Sequence, residues 1–205
     1  MKPNDIESLS FKIIDKEAGT HDFTPEQWQI VRRMIHTTAD FQYMNTVRFH
    51  PGSVKAGIDA IRNGKSIITD TNMARVGIRK GELQRFNVSV ECLIDKPEVA
   101  QAAKDKGTTR AKAAVDAGLD QMDGGIYVVG NAPTALLQII ELVQGNKAQP
   151  ALIVGLPVGF VNAAESKEKL VKIDIPYISN IGRKGGSNVA ASVINALAIM
   201  AVRQN

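Results

Sequence analysis

The sequence predicts an α/β protein with a doubly wound, mostly parallel sheet of about five strands. Three observations lead there. Short apolar runs alternate with helical patterns along most of the chain, an order that implies parallel strands joined by crossover helices. The runs at 66–70, 88–94, 126–129, 151–154 and 175–178 have the length of strands rather than of helices. The segments after three of them are rich in Gly, Asn and Pro, residues of tight strand-to-helix connections. A chain of 205 residues suits one domain, 1–205, and no Ser/Gly linker, low-complexity tract or solenoid repeat divides it.

Taken in order, Ser10-Phe11-Lys12-Ile13-Ile14 begins a short element. The first long helix follows, with Thr24 as N-cap, Pro25 at the first helical position and Gln27 at capping-box spacing. Trp28, Val31, Ile35 and then Thr38 or Ala39 form its apolar stripe, and His36 stands at the stripe's edge. Phe49-His50-Pro51-Gly52 reads as a loop leading into a helix over 53–63, closed by Gly64. The strand and helix grammar then repeats, with helices over 97–106, 109–118, 133–144, 163–171 and 187–202. Pro176 lacks the amide that a central strand needs, which moves the last strand towards an edge.

Composition narrows the function classes. The net charge of +4 suits an anionic ligand, but the basic residues fall in short clusters, a weak footprint for nucleic acid. Aromatics at 5% argue against a stacking platform for single strands. Cys92 is the only cysteine, so no intrachain disulfide forms and a reducing cytoplasm is the expected compartment. No apolar run approaches the ~20 residues of a membrane span, and the polar N-terminus does not read as a secretory leader. His21, His36 and His50 lack zinc-site spacing, no G-x-S-x-G elbow occurs, and Cys92 inside a strand reads as an inert core thiol.

Ligands of open parallel sheets bind beyond the carboxyl ends of the strands. There the chain places Gly130-Asn131-Ala132-Pro133-Thr134-Ala135, Gly155-Leu156-Pro157-Val158-Gly159-Phe160 and Gly182-Arg183-Lys184-Gly185-Gly186-Ser187. The last loop opens into a helix and joins free amides to two cations, which suits a phosphate or a carboxylate; the alternative is a tight turn needing positive φ. It lacks the spacing of a nucleotide hydrolase loop, and no loop supplies a G-x-G-x-x-G. Thr109 and Arg110 stand at another helix start, where Arg110 either clamps a carboxylate bidentately or makes an ordinary surface salt bridge. At helical spacing Arg32, His36 and Asp40 share one side of the first long helix, Arg32 opposing and Asp40 favouring the imidazolium. His36 is therefore a candidate proton donor or acceptor, beside the plainer reading of a half-buried hydrogen-bonded histidine.

In order, Ser10-Phe11, Arg33-Met34-Ile35-His36, Phe49-x-Pro51-Gly52, Asp70-x-x-Met73, Thr109-Arg110, Gly130-Asn131-Ala132-Pro133-Thr134-Ala135-Leu136, Pro157-Val158-Gly159-Phe160-Val161, Glu165-Ser166-Lys167 and Gly182-Arg183-x-Gly185-Gly186-Ser187 resemble the precorrin-8 methylmutase family of corrin biosynthesis. The resemblance spans almost the whole chain. It implies a flavodoxin-like fold, a homodimer with sites near the interface, and an isomerisation that moves a methyl group from C11 to C12 of a tetrapyrrole. The shift is formally a 1,5-sigmatropic one and requires no external methyl donor and no cofactor. The resemblance carries the catalytic histidine onto His36, and substrate-contacting serine and arginine onto Ser10 and Arg110. Carboxylates on the macrocycle rim would then meet Arg110 and the loop from Arg183 through Lys184, Gly185 and Gly186 to Ser187, with Thr109 and Asn131 beside them. No metal ligand, nucleic acid or membrane belongs to this reading. A non-catalytic corrinoid carrier would share the carboxylate clamps but would not need His36.

Overall fold

Along the central strands, successive side chains divide between two cores, as the period of two in a strand dictates. Ile67, Ile126, Val128, Leu152, Val154 and Ile178 face one core. Ile68, Tyr127, Val129, Ile153 and Tyr177 face the other. Burial on both faces explains why these strands read as continuous apolar runs rather than alternating ones.

The computed structural model describes residues 3–203. In chain order the elements are α1 (Pro3–Ala18), α2 (Pro25–Thr38), α3 (Tyr43–Thr46), β1 (Val47–Phe49), α4 (Ser53–Arg62), β2 (Ile67–Thr69), α5 (Asn72–Gly77), α6 (Lys80–Gln84) and β3 (Val90–Cys92). There follow α7 (Pro97–Asp105), α8 (Arg110–Ala117), α9 (Leu119–Met122), β4 (Ile126–Val129), α10 (Pro133–Gln144), β5 (Leu152–Gly155), α11 (Ala163–Leu170), β6 (Tyr177–Asn180) and α12 (Ser187–Arg203). Helices α2, α4, α5 and α12 cover one face, and α8, α10 and α11 the other. Among the described residues no helix is long and apolar enough to cross a membrane.

The sheet order is β1-β6-β5-β4-β2-β3, with β1 antiparallel to β6 and all other pairs parallel. Without β1, the parallel strands follow the flavodoxin-like order, which reverses direction between β2 and β4. The expectation of a doubly wound, flavodoxin-like sheet holds, but among the described residues the sheet has six strands. The additional strand, β1, arises where Phe49 was read as loop; three residues are too few to carry a period. Its presence also corrects the placing of Pro176. Strand β6 lies between β5 and β1, and Pro176 stands just before it, where only its carbonyl is used, accepting from the Ile153 amide at 3.0 Å.

The N-terminal element is also longer than expected. Ser10 to Ile14 lie inside the sixteen-residue α1. Phe11 explains the pairing of α1 with α2: the guanidinium carbons of Arg32 and Arg33 sit 4.4 and 5.1 Å from its ring centre. Arg32 then pairs with Asp15 at 2.9 Å and Arg33 with Glu7 at 3.1 Å, joining the two helices by charge as well as by packing. The capping box at Thr24 and Gln27 forms as expected.

Candidate active site

The catalytic candidate sits near the C-terminal end of α2. His36 is exposed, its imidazole meets the Phe11 ring edge-on at 5.2 Å, and it makes no hydrogen bond with a described residue. It shares an open groove of about 330 Å³ with Ser10, floored by Ile13, Ile14, Ile35 and Phe41. Residues 26 positions apart in sequence thus meet because α1 docks on α2. The Ser10 hydroxyl donates to the Ile6 carbonyl at 2.9 Å.

The expected line of Arg32, His36 and Asp40 does not form. The helix stops at Thr38, and Ala39 takes a left-handed conformation (φ 53°) as its C-cap, so Asp40 leaves the helical path. Asp40 instead ion-pairs with Lys184 and accepts from the Gln42 amide at 2.9 Å. The Lys184 hydrogen bond, helped by that amide, holds its carboxyl below the usual range. Arg32 is engaged with Asp15. What the pairing of Asp40 achieves is a tie between the end of the His36 helix and the loop after β6.

That loop is both a strained turn and a cluster of polar groups. Gly182 (φ 80°) and Gly186 (φ 135°) occupy backbone conformations that L side chains rarely adopt, so the tight-turn reading is correct at these two positions. A Cβ on Gly185 would lie 2.3 Å from the Leu156 carbonyl oxygen, which makes this a close approach of two loops. Arg183 and Lys184 are exposed, and the Arg183 guanidinium lies 5.4 Å from the Phe160 ring centre. Ser187 is buried, and its hydroxyl pairs with that of Thr71 at 2.8 Å.

At the switch point between β2 and β4 lies Asp70, a buried carboxylate that sequence reasoning quoted in a motif without giving it a role. Its oxygens accept from the amides of Gly130 (2.9 Å), Asn131 (2.8 Å) and Ala132 (2.7 Å). Burial pushes the Asp70 carboxyl up, against these three donors, which favour the charge. The carboxylate therefore fixes the start of the Asn131 loop from below and leaves the Asn131 side chain exposed. A Cβ on Gly130 would lie 2.6 Å from the Ser187 Cα, so this loop and the start of α12 touch backbone to backbone.

Thr109 caps α8, accepting from the Lys112 amide at 3.2 Å, and its hydroxyl reaches that of Thr134 at 3.1 Å, at the first turn of α10. Arg110 follows, exposed and without an ion pair among the described residues. Ser10 and His36 thus come together in one groove; Asp40 joins that helix end to Lys184; Asn131, Ser187 and Thr71 meet around β2 and β4. Among the described residues no hydrogen bond or ion pair joins Arg110 to His36.

Lys167 was also quoted in a motif without a role. Its side chain is fully buried, donating to the Lys184 carbonyl at 2.6 Å and to the Asn180 Oδ1 at 3.1 Å. Burial alone lowers its pKa to about 8. Cys92 has its thiol pushed up, chiefly by burial, consistent with the inert reading.

Known proteins match this arrangement. The family model for precorrin-8X methylmutase matches residues 5–200. A cobalt-precorrin-8 methylmutase of Priestia megaterium is 46% identical over 201 residues, covering 98% of this chain and 89% of that protein. One of Leptospira interrogans is 42% identical, covering 97% and 94%. The crystal structure of a precorrin-8x methyl mutase from Thermus thermophilus superposes with a TM-score of 0.91 at 44% identity, covering 98% and 97%. A family match over nearly the whole chain, on a sheet with the same strand order as that reading implied, makes this protein a member of the precorrin-8X methylmutase family, isomerases of cobalamin biosynthesis.

Proposed function

We propose that the protein shifts the methyl group of cobalt-precorrin-8 from C11 to C12, giving cobyrinate, with His36 as the acid that protonates the macrocycle. The observation carrying this reading is the open groove shared by Ser10 and His36 beside an apolar floor. An imidazole free of protein hydrogen bonds in an accessible groove is ready to exchange a proton with a ligand atom. The reaction is an isomerisation, so the proton is returned as the methyl group settles and no atom is gained or lost. Cobalt belongs to the substrate; the relatives from Priestia megaterium and Leptospira interrogans carry cobalt-precorrin-8 in their names, which supports the metallated form. Their description as methylmutases favours the isomerase over a non-catalytic carrier.

Carboxylates on the macrocycle rim are held by Arg110, by Arg183 and Lys184, and by the amide of Gly185, with Ser10, Thr109, Asn131 and Ser187 completing the polar rim; the Gly186 amide already donates to the Leu156 carbonyl at 2.9 Å and serves the clamp by shaping the turn. Unpaired Arg110 supports this assignment, because a guanidinium offers a carboxylate two parallel donors. Thr109 and Ser187 serve it mainly by holding loops, since their hydroxyls already have partners. The working unit is a homodimer. Its support is the exposed apolar side chains on α1 (Ile6, Leu9, Ile13), on α5 (Met73, Val76) and on the β5–α11 loop (Phe160, Val161), which a second copy would cover.

The test is His36→Ala with cobalt-precorrin-8, followed by visible absorbance. The expected result is a rate lower by about 10²–10⁴-fold with the pigment still bound. A variant that isomerises at the native rate overturns the assignment.

A further inference from the structure

Glycine at 182, 185 and 186 leaves the loop before α12 with few constraints of its own, and a loop that orders only on binding loses affinity to its lost entropy. Three main-chain tethers oppose that. The Gly159 amide donates to the Arg183 carbonyl at 3.2 Å, and the Gly186 amide to the Leu156 carbonyl at 2.9 Å. Between them, the Lys184 carbonyl receives two side-chain donors, Lys167 Nζ at 2.6 Å and Asn180 Nδ2 at 2.9 Å.

Lys167 is an unusual residue for this work. It lies fully buried on α11, its partners are two neutral oxygens, and among the described residues no carboxylate pairs with it. Burying a cation this way is costly, and a residue of similar volume without charge would fill the same space. An ammonium does what that residue cannot: it grips a carbonyl by a charge-assisted hydrogen bond and leaves positive charge beneath the exposed Arg183 and Lys184. Because the Lys184 side chain reaches Asp40, the same grip also sets where the loop meets the end of the His36 helix.

We propose that Lys167 is a positioning residue for the methyl shift, pinning the Lys184 carbonyl so that the loop over 182–186 is preformed for a substrate carboxylate. This rests on the reading of that loop as a carboxylate clamp. The contact it supplies forms on binding and persists through the reaction, so its loss acts on KM and leaves kcat alone.

The experiment compares wild type, Lys167→Met and Arg183→Ala in steady-state conversion of cobalt-precorrin-8. Lys167→Met is expected to raise KM about tenfold, the worth of one hydrogen bond to a charged group, with kcat within about twofold. Arg183→Ala is expected to raise KM as well. A folded Lys167→Met with native KM, beside a raised KM in Arg183→Ala, overturns the role of Lys167 and leaves the clamp standing. Native KM in both overturns the clamp itself. A fall in kcat at native KM also overturns the proposal. If Lys167→Met does not fold, Asn180→Ala removes the second donor to the same carbonyl and is read by the same criteria.

Discussion

Replacing Lys167 by Met should flatten one part of the pH dependence of stability. Burial lowers the amine from its ordinary 10.5 to about 8. In the unfolded chain it regains the ordinary value. Between about 8 and 10.5 the unfolded state therefore holds a proton that the native state has released, and stability rises with pH across that window. Below it, both states are charged and the native state bears the full cost of burial; above it, neither is. At 1.36 kcal/mol per tenfold in proton affinity, the lowering corresponds to at most about 3 kcal/mol. Lys167→Met has no such group, but it leaves the Asn180 Oδ1 without its ammonium, which costs about 1–3 kcal/mol. The Lys184 carbonyl keeps its Asn180 donor. At pH 7 the two effects nearly cancel, and the variant is within about 2 kcal/mol of wild type. Near pH 10 wild type has regained most of its penalty and is the more stable by about 1–3 kcal/mol. Urea unfolding of both proteins at several pH values measures this, and taking their difference at each pH cancels the titration of every shared group. A difference that stays flat from pH 7 to 10.5 refutes the view of Lys167 as a buried, unpaired cation.

Other expectations follow from the same contacts. Gly130→Ala places a methyl group against the Ser187 backbone and should cost about 1–3 kcal/mol, read as a lower urea midpoint. Asp70→Asn keeps the shape but replaces one acceptor oxygen by the donor NH2 of a carboxamide, leaving at least one of the Gly130, Asn131 and Ala132 amides unsatisfied; a loss of about 2 kcal/mol is expected by the same assay. Phe160→Asp puts a charge into an exposed large apolar side chain, 82% accessible, and sedimentation velocity should then show a single chain where wild type shows two. His36→Ala should slow the spectral change of cobalt-precorrin-8 by about 10²–10⁴-fold without changing the chain's fold, since the imidazole makes no hydrogen bond with a described residue; circular dichroism checks the second half.

Helices with a capped start and a full period of apolar residues were readable in the sequence to within a residue or two. Thr24 with Gln27 fixed the start of α2, and Pro133 that of α10. The central strands were readable because both of their faces are buried. Strand β1 was not, because its existence depends on pairing with β6, whose residues lie some 130 positions later in the chain. The misplaced Pro176 has the same cause: a strand's rank in a sheet is a property of its neighbours, and only the missing N–H of Pro176, just before the strand, is local.

The sequence by itself determined the fold class, the strand-to-helix loops as the place for chemistry, and His36, Ser10 and Arg110 as the residues to examine through the ordered motifs. Tertiary structure decided what those residues meet. It separated Asp40 from His36, because a left-handed Ala39 ends the helix two residues before Asp40, and gave Asp40 to Lys184. It put Asp70 beneath the Asn131 loop and Lys167 beneath the Lys184 carbonyl. The reason is physical: helix and strand preferences act over a few residues, whereas the partner of a buried charge is fixed only when distant segments pack and water is excluded from between them.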